Sequence, residues 1–257
     1  MICYPLLGKN GEFGNQLFQI AATLSHAVDC NDNAIFPEWL YSKLFKHNIS
    51  ETLSSDKKIE NKYTEQHFYF DPIPKLPNLA LYGYFQSEKY FKKNFNFIKK
   101  YFKFKDDIYD YIFKKYNFIS EENCVGVHLR TYSRGQIDPR HLYYDILEEP
   151  EYLKKAFNFF GRDRKFIVCS DNIKKCKSIL GNNKSLIFIE NESLYIDFCI
   201  LTMCKDNINS SSSFSWWSSY LNENVTKQII TPKKWFKETD DTWFNSKDVI
   251  PEEWIKL

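Results

Sequence analysis

Four consecutive serines running into an aromatic pair, Asn207-Ile208-Asn209-Ser210-Ser211-Ser212-Ser213-Phe214-Ser215-Trp216-Trp217, leave few local structures open. Serine hydroxyls compete with the backbone for hydrogen bonds, so a serine run sits badly inside a helix and well where one begins. The pattern predicts a short strand over 207–209, a polar loop, and a helix from about Phe214 that buries both tryptophans. The loop has two readings. It caps a helix and does no more, or its unpaired N–H groups and the helix dipole bind phosphate.

Two other strand ends bear on that choice. Cys124–Arg130 is a β-branched run that puts His128 and Arg130 on one face at its carboxyl end. Arg164–Cys169 is a second buried strand, leading into Ser170-Asp171-Asn172. Ligands of open α/β sheets bind at strand carboxyl ends. The planar fork of an arginine suits a diphosphate, although an ion pair beside a satisfied core histidine is an equal reading of Arg130 and His128. Asp171 either caps the helix beginning near Ile173 or accepts hydrogen bonds from the amino groups of a base such as guanine. Three polar clusters at successive strand ends describe a nucleotide site better than three unrelated caps. The sequence has no Asp-x-Asp, so no metal is expected; if a sugar diphosphate binds here, arginine and backbone N–H groups must offset the leaving-group charge.

The first half is less distinct. Ile2–Leu7 reads as a strand, followed by Gly8, Gly11 and Gly14 in a turn, and then Leu17, Ile20, Ala21 and Leu24 at helical spacing to about Val28. The glycine spacing is not the dinucleotide fingerprint. Asn15 and Gln16 cap the helix or hold a polar ligand. Further on, the expectations are a strand over 34–36, a polar excursion over 42–62, a proline-rich loop at 71–77 and a strand over 79–84. An aromatic stripe predicts one helix over 89–104, and a second helix covers 106–117. A boundary near 120 divides the chain into domains 1–120 and 121–257. In the second of these, a helix over 149–160, a strand over 185–190 and an amphipathic helix through Leu194, Phe198, Leu201 and Thr202 complete the pattern. Trp235, Trp243 and Trp254 pack the tail onto the body.

Composition excludes several classes. With 43% hydrophobic residues and 18% aromatics, the 257-residue chain is globular and not disordered. A net charge of +2 gives no reason to expect nucleic acid or an anionic membrane. Seven cysteines without a Cys-x-x-Cys pair point to a reducing compartment. No signal peptide or membrane-spanning run is apparent, so the expectation is a soluble cytoplasmic protein, with peripheral membrane association left open.

Gly11-Glu12-Phe13-Gly14-Asn15-Gln16-Leu17-Phe18-Gln19, Val127-His128-Leu129-Arg130, Val168-Cys169-Ser170-Asp171 and Ser212-Ser213-Phe214-Ser215-Trp216-Trp217 together resemble the α-1,2-fucosyltransferase family, glycosyltransferase family 11. The resemblance implies an α/β, GT-B-like fold of two Rossmann-like halves with a cleft between them, the first half on the acceptor side and the second binding the GDP-sugar. It implies inverting, metal-independent transfer of L-fucose from GDP-fucose to a glycan hydroxyl, with no cofactor. Arg130 would stabilise the β-phosphate, and His128 and Asp171, beside Ser170, would hold the guanosine. Ser212, Ser213 and Phe214 would surround the phosphates, and Asn15 with Gly14 would lie at the cleft. The family continues His-x-Arg directly with Arg-Gly-Asp. Here Thr131-Tyr132-Ser133 intervene, so Arg134-Gly135 is the expected pair displaced by three residues and Gln136 stands where the acid should be. The departure leaves a second arginine contact, from Arg134, and the sugar specificity open. Asp138 and Glu149 are the candidate general bases. Two alternatives remain: a transferase of the same fold using another nucleotide sugar, and a non-catalytic nucleotide-sugar or glycan-binding protein.

Overall fold

The computed structural model describes residues 1–49, 58–121, 123–131, 146–147, 149–161, 163–181 and 183–257. They form two compact units, Met1–Lys105 with Asp240–Pro251, and Asp106–Thr239 with Glu252–Leu257.

The first unit holds a four-stranded parallel sheet: β1 (Ile2–Cys3), β2 (Ala34–Ile35), β3 (Asn61–Thr64) and β4 (Leu79–Tyr82), in the order β2-β1-β4-β3. Helix α1 (Phe13–Asp29) links β1 to β2, and the chain then crosses to the far side of β1, so the strand order reverses between β1 and β4. Every residue of α1 from Gln16 to Ala27 is buried, a wider face than its apolar spacing predicts. Its polar side chains bond locally: Thr23 Oγ1 donates to the Gln19 carbonyl at 2.7 Å, and Gln19 Nε2 to that of Asn10 at 2.9 Å.

The single helix expected over 89–104 is not formed. Short 3-10 turns at Glu88–Tyr90, Lys92–Asn94 and Lys99–Phe102 surround a one-turn helix, α2 (Phe95–Ile98). Phe91 leaves helical geometry at φ −141 while its buried ring packs on Phe18 and Phe95. Asn94 is tied to α1, donating to Ser25 Oγ at 3.0 Å and Asp29 Oδ1 at 2.9 Å. Each aromatic has a separate tertiary partner, and those anchors outweigh the helical periodicity of the stripe.

The second unit contains α3 (Asp106–Lys115), α4 (Phe118–Glu121), β5 (Cys124–Leu129), α5 (Pro150–Phe160), β6 (Lys165–Ser170), α6 (Ile173–Leu180), β7 (Leu186–Phe188), α7 (Leu194–Met203), β8 (Asp206–Ile208), α8 (Ser213–Tyr220), β9 (Ile229–Thr231) and β10 (Ile255–Lys256). The six strands are parallel in the order β10-β9-β8-β5-β6-β7, so the chain winds outward from β5 through β6 and β7, then returns to β8 and winds the other way. That is the doubly wound Rossmann order, with its switch point between β5 and β8. The compact units part between Lys105 and Asp106: α3 and its following turn reach Glu192 through Tyr111, Lys115 and Tyr116, all inside the second unit.

Helix α7 is not amphipathic as expected; Ile196, Phe198, Cys199, Ile200 and Leu201 are all buried, which covers it on most sides. It lies against β5 at Gly126, where a Cβ would come within 3.0 Å of Leu201 Cδ2 and 2.9 Å of Asn207 Nδ2. The tail supplies β9 and β10 as well as packing. Trp235 and Trp254 are buried, and Trp254 meets Trp216 at 5.4 Å between ring centroids. All seven cysteines are free thiols. Among the described residues no helix is long and apolar enough to cross a membrane.

Candidate functional site

The switch point of the second unit lies where β5 and β8 stop pairing, after Val127 and Ile208. Ser210, two residues past β8, joins the chains beyond that point. Its hydroxyl donates to the His128 carbonyl at 2.5 Å and accepts from the Arg130 amide at 2.9 Å. The same oxygen lies 3.4 Å from His128 Nδ1. One serine thus fixes the strand end that carries both sequence-predicted residues, His128 and Arg130. The His128 ring meets Phe214 in a tilted contact at 4.8 Å, and Phe214 in turn meets Phe198 edge-on at 5.2 Å. Burial pushes the imidazole pKa down to about 3, and the neighbouring Arg130 charge adds to the shift, so His128 is neutral near pH 7.

Arg130 Nη1 lies 3.1 Å from Asp171 Oδ2, with the arginine side chain 28% exposed and the aspartate 7%. Asp171 Oδ1 accepts from the Thr131 amide at 2.8 Å. Asp171 therefore does not cap α6. That role belongs to Asn172, whose side chain accepts from the Lys175 amide at 3.0 Å. Ser170 is turned into its own loop, accepting from the Asn172 amide and the Cys176 thiol at 3.1 Å each.

In and after the serine run the hydroxyls have separate tasks. Ser212 is the N-cap of α8, accepting from the Phe214 amide at 3.3 Å, and Ser215 donates to the carbonyls of Ser210 and Ser212 at 3.0 Å. Ser211 donates to the Lys234 carbonyl at 2.9 Å, and Ser219 to Asn209 Oδ1 at 2.7 Å. Ser212, Ser213 and Phe214 are half-buried, whereas Ser210, Ser211 and Ser215 are buried. Capping and presentation of a helix N-terminus thus coexist.

The structure brings His128, Arg130, Asp171, Ser210 and Phe214 into one connected cluster, with Ser212 and Ser213 at the start of α8 beside Phe214. Sequence reasoning did not separate Ser210 from its three neighbours. Tyr152, whose hydroxyl donates to the Asn209 carbonyl at 2.7 Å and so supports the loop from α5, carried no signal at all. Arg134 and Asp138 lie outside the described residues. Glu149 is exposed immediately before α5.

Gly14 and Asn15 belong to the first unit, in the opening turn of α1. Gln16 fastens the preceding loop, donating to the Gly11 carbonyl at 2.8 Å and accepting from the Trp39 indole at 2.6 Å. Asn15 is half-buried and accepts from Gln86 Nε2 at 2.8 Å.

The family model described as glycosyl transferase family 11 matches residues 7–257. The alpha-1,2-colitosyltransferase of Escherichia coli is 28% identical, over 96% of this chain and 96% of its own length. Galactoside alpha-(1,2)-fucosyltransferase 1 of Bos taurus is 27% identical over a shorter segment, 38% of this chain and 29% of that protein. Among solved structures, fucosyltransferase NodZ from Bradyrhizobium aligns with a TM-score of 0.51 at 14% identity, over 84% of this chain and 91% of that one. NodZ has also been solved as an alpha-1,6-fucosyltransferase co-crystallized with GDP. The fold is GT-B-like, α/β with two parallel-sheet halves, as the sequence implied.

Proposed function

The chain belongs to glycosyl transferase family 11, and from that premise we propose that it moves L-fucose from GDP-fucose to a hydroxyl of a glycan acceptor, with inversion, without a metal ion and in an α-1,2 linkage. The observation that carries this reading is the Ser210 bridge, which sets Arg130 and the N-terminus of α8 at one switch point. A cation and a helix N-terminus at the same strand ends suit a diphosphate. Support comes from the names of the relatives and from the GDP found with NodZ.

In this mechanism the residues 121–257 take the nucleotide and 1–120 the acceptor. Arg130 meets the β-phosphate, oriented by Asp171, and Ser212, Ser213 and Phe214 surround the phosphates. Neutral His128 contacts the guanosine. The acceptor oxygen attacks the anomeric carbon on the face opposite GDP, the bond from that carbon to the β-phosphate oxygen breaks, and the hydroxyl proton passes to a carboxylate, Asp138 or Glu149. GDP leaves as an anion whose charge Arg130 and the helix dipole offset.

A second donor is favoured by one finding: the relative that matches 96% of both lengths is a colitosyltransferase. Colitose is L-fucose without its 3-hydroxyl, so one small contact would decide between them. Donor hydrolysis and transfer with GDP-fucose and GDP-colitose, each with EDTA, test the reading. Arg130→Ala is expected to lose roughly a hundredfold or more in kcat, while EDTA leaves the rate unchanged and product NMR shows the α anomer. Full turnover by Arg130→Ala would remove that residue from the mechanism, and inhibition by EDTA would refute metal independence.

A further inference from the structure

The first unit has a switch point of its own, between β1 and β4, and the loops leaving those strands are tied together there. Tyr4 donates its hydroxyl to the Gly83 carbonyl at 2.7 Å and accepts from Asn10 Nδ2 at 2.9 Å. The loop after β4 is strained. Phe85 has φ +54, a left-handed conformation that bulky residues rarely adopt. Gly83 stands at φ +152, where a Cβ would overlap the Glu65 side chain. Two anchors hold the strain. Glu65, 3% exposed, accepts from the amides of Tyr84 at 2.6 Å and Phe85 at 3.0 Å. The Phe85 ring is fully buried, with ring centroids 6.4 Å from Tyr4, 6.4 Å from Tyr63 and 5.3 Å from Tyr90.

What this loop delivers is Gln86. The residue is 3% exposed, its Nε2 donates to Asn15 Oδ1, and its Oε1 is buried with no hydrogen-bond partner among the described residues. Turning both amides over exchanges donor and acceptor and still leaves one polar atom of Gln86 unpaired. On its other side Asn15 is confined by Gly11, at φ +76, where a Cβ would overlap the Asn15 side chain. A half-buried amide is thus fixed from two directions. Local strain persists where its surroundings over-determine it, and it gathers at functional sites.

We propose that Gln86 is a positioning residue for Asn15, and that the pair aims the Asn15 amide at one sugar hydroxyl. This rests on the transferase reading above. The chemistry is that of a neutral polyol: Asn15, Gln86, Asn10 and Tyr4 are uncharged, and the Glu65 carboxylate is turned to backbone N–H groups. The hydroxyl belongs either to the acceptor saccharide or to the donor sugar, and the experiment separates them.

Gln86→Leu removes the bond while keeping the volume. Steady-state transfer kinetics on the full chain are expected to show KM for the sugar bearing that hydroxyl raised about tenfold, the loss of one hydrogen bond. The variant's kcat and GDP affinity stay near wild type. The wild-type preference over deoxy analogues of the acceptor or donor falls by the same factor at one position only. Gln86→Glu keeps the shape and accepts from a turned Asn15 amide, so it restores most of the loss. Donor hydrolysis without acceptor assigns the source: an unchanged KM places the hydroxyl on the acceptor, a raised one on the donor sugar. Undiminished discrimination against every deoxy analogue in Gln86→Leu would overturn the inference, as would an equal fall in kcat and melting temperature that Gln86→Glu does not relieve. A wild type inactive with both GDP-fucose and GDP-colitose sinks the transferase reading itself, and is seen before any variant is made.

Discussion

His128 enters the folded protein at a penalty that pH makes visible. Its imidazole titrates near 6.5 in the unfolded chain and near 3 when folded, because burial and then the Arg130 charge disfavour the cation. Between those values the unfolded chain holds a proton that the folded chain does not, so stability is complete above the upper value and declines as pH falls through the window. The slope is about 1.4 kcal/mol per pH unit. Glu65 and Asp197 act in the opposite sense. Burial raises both carboxyls to about 7, so the folded state takes up their protons first and gains stability as pH falls. Comparing wild type with His128→Asn isolates the histidine. As pH is lowered from 7 to 5 the wild-type urea midpoint should fall relative to that of the variant, and parallel profiles would mean that His128 is not desolvated as its burial implies. The residue scale is also where the site was least legible. His128, Arg130 and the serine run stood out because their spacing set them at a strand end and a helix start. Asp171 against Asn172 as the cap, and Ser210 as the bridge, are choices among adjacent residues of like chemistry that only the three-dimensional turn decides.

At the scale of the element, sequence pattern served where burial was one-sided or complete over a long run. It found α1, β5, β6 and α8 to within a few residues, and failed where tertiary contacts redirect the chain. The stripe over 89–104 broke because Phe91 and Asn94 follow their partners and not the helix. Strands β9 and β10, of three and two residues, are too short to carry a period. Two of these elements give contrasting tests. Ser212→Ala removes the acceptor for the Phe214 amide and should lower stability by about 1 kcal/mol, with Ser212→Gly losing only a few tenths. Gly126→Ala must push Leu201 or Asn207 aside between β5 and α7, and should lower stability by about 1 to 3 kcal/mol through overpacking. Chemical denaturation of the three variants ranks them. A neutral Gly126→Ala would show that α7 can shift away from the sheet without loss.

At the scale of the whole molecule, two parallel sheets carry different chemistry at their switch points. The second has an arginine, a buried neutral histidine and a helix N-terminus; the first has amides, a tyrosine hydroxyl and a carboxylate occupied by its own loop. A diphosphate and a neutral saccharide should therefore register on different parts of the chain. GDP that binds only the folded state adds RT ln(1 + [L]/Kd), about 2.7 kcal/mol at a hundredfold excess. A panel of GDP, UDP, CDP and dTDP should raise the melting temperature with GDP alone, and magnesium should leave that shift unchanged. Hydrogen exchange then locates the effect. Amides slowed by GDP should gather in 124–131 and 206–220, the segments that Ser210 joins, while 8–16 and 83–87 exchange as in the free protein. Slowing of 8–16 and 83–87 by GDP alone, with 206–220 untouched, would reverse the assignment of the two sheets, because the helix N-terminus and Arg130 would then have failed to meet the one ligand whose charge they suit.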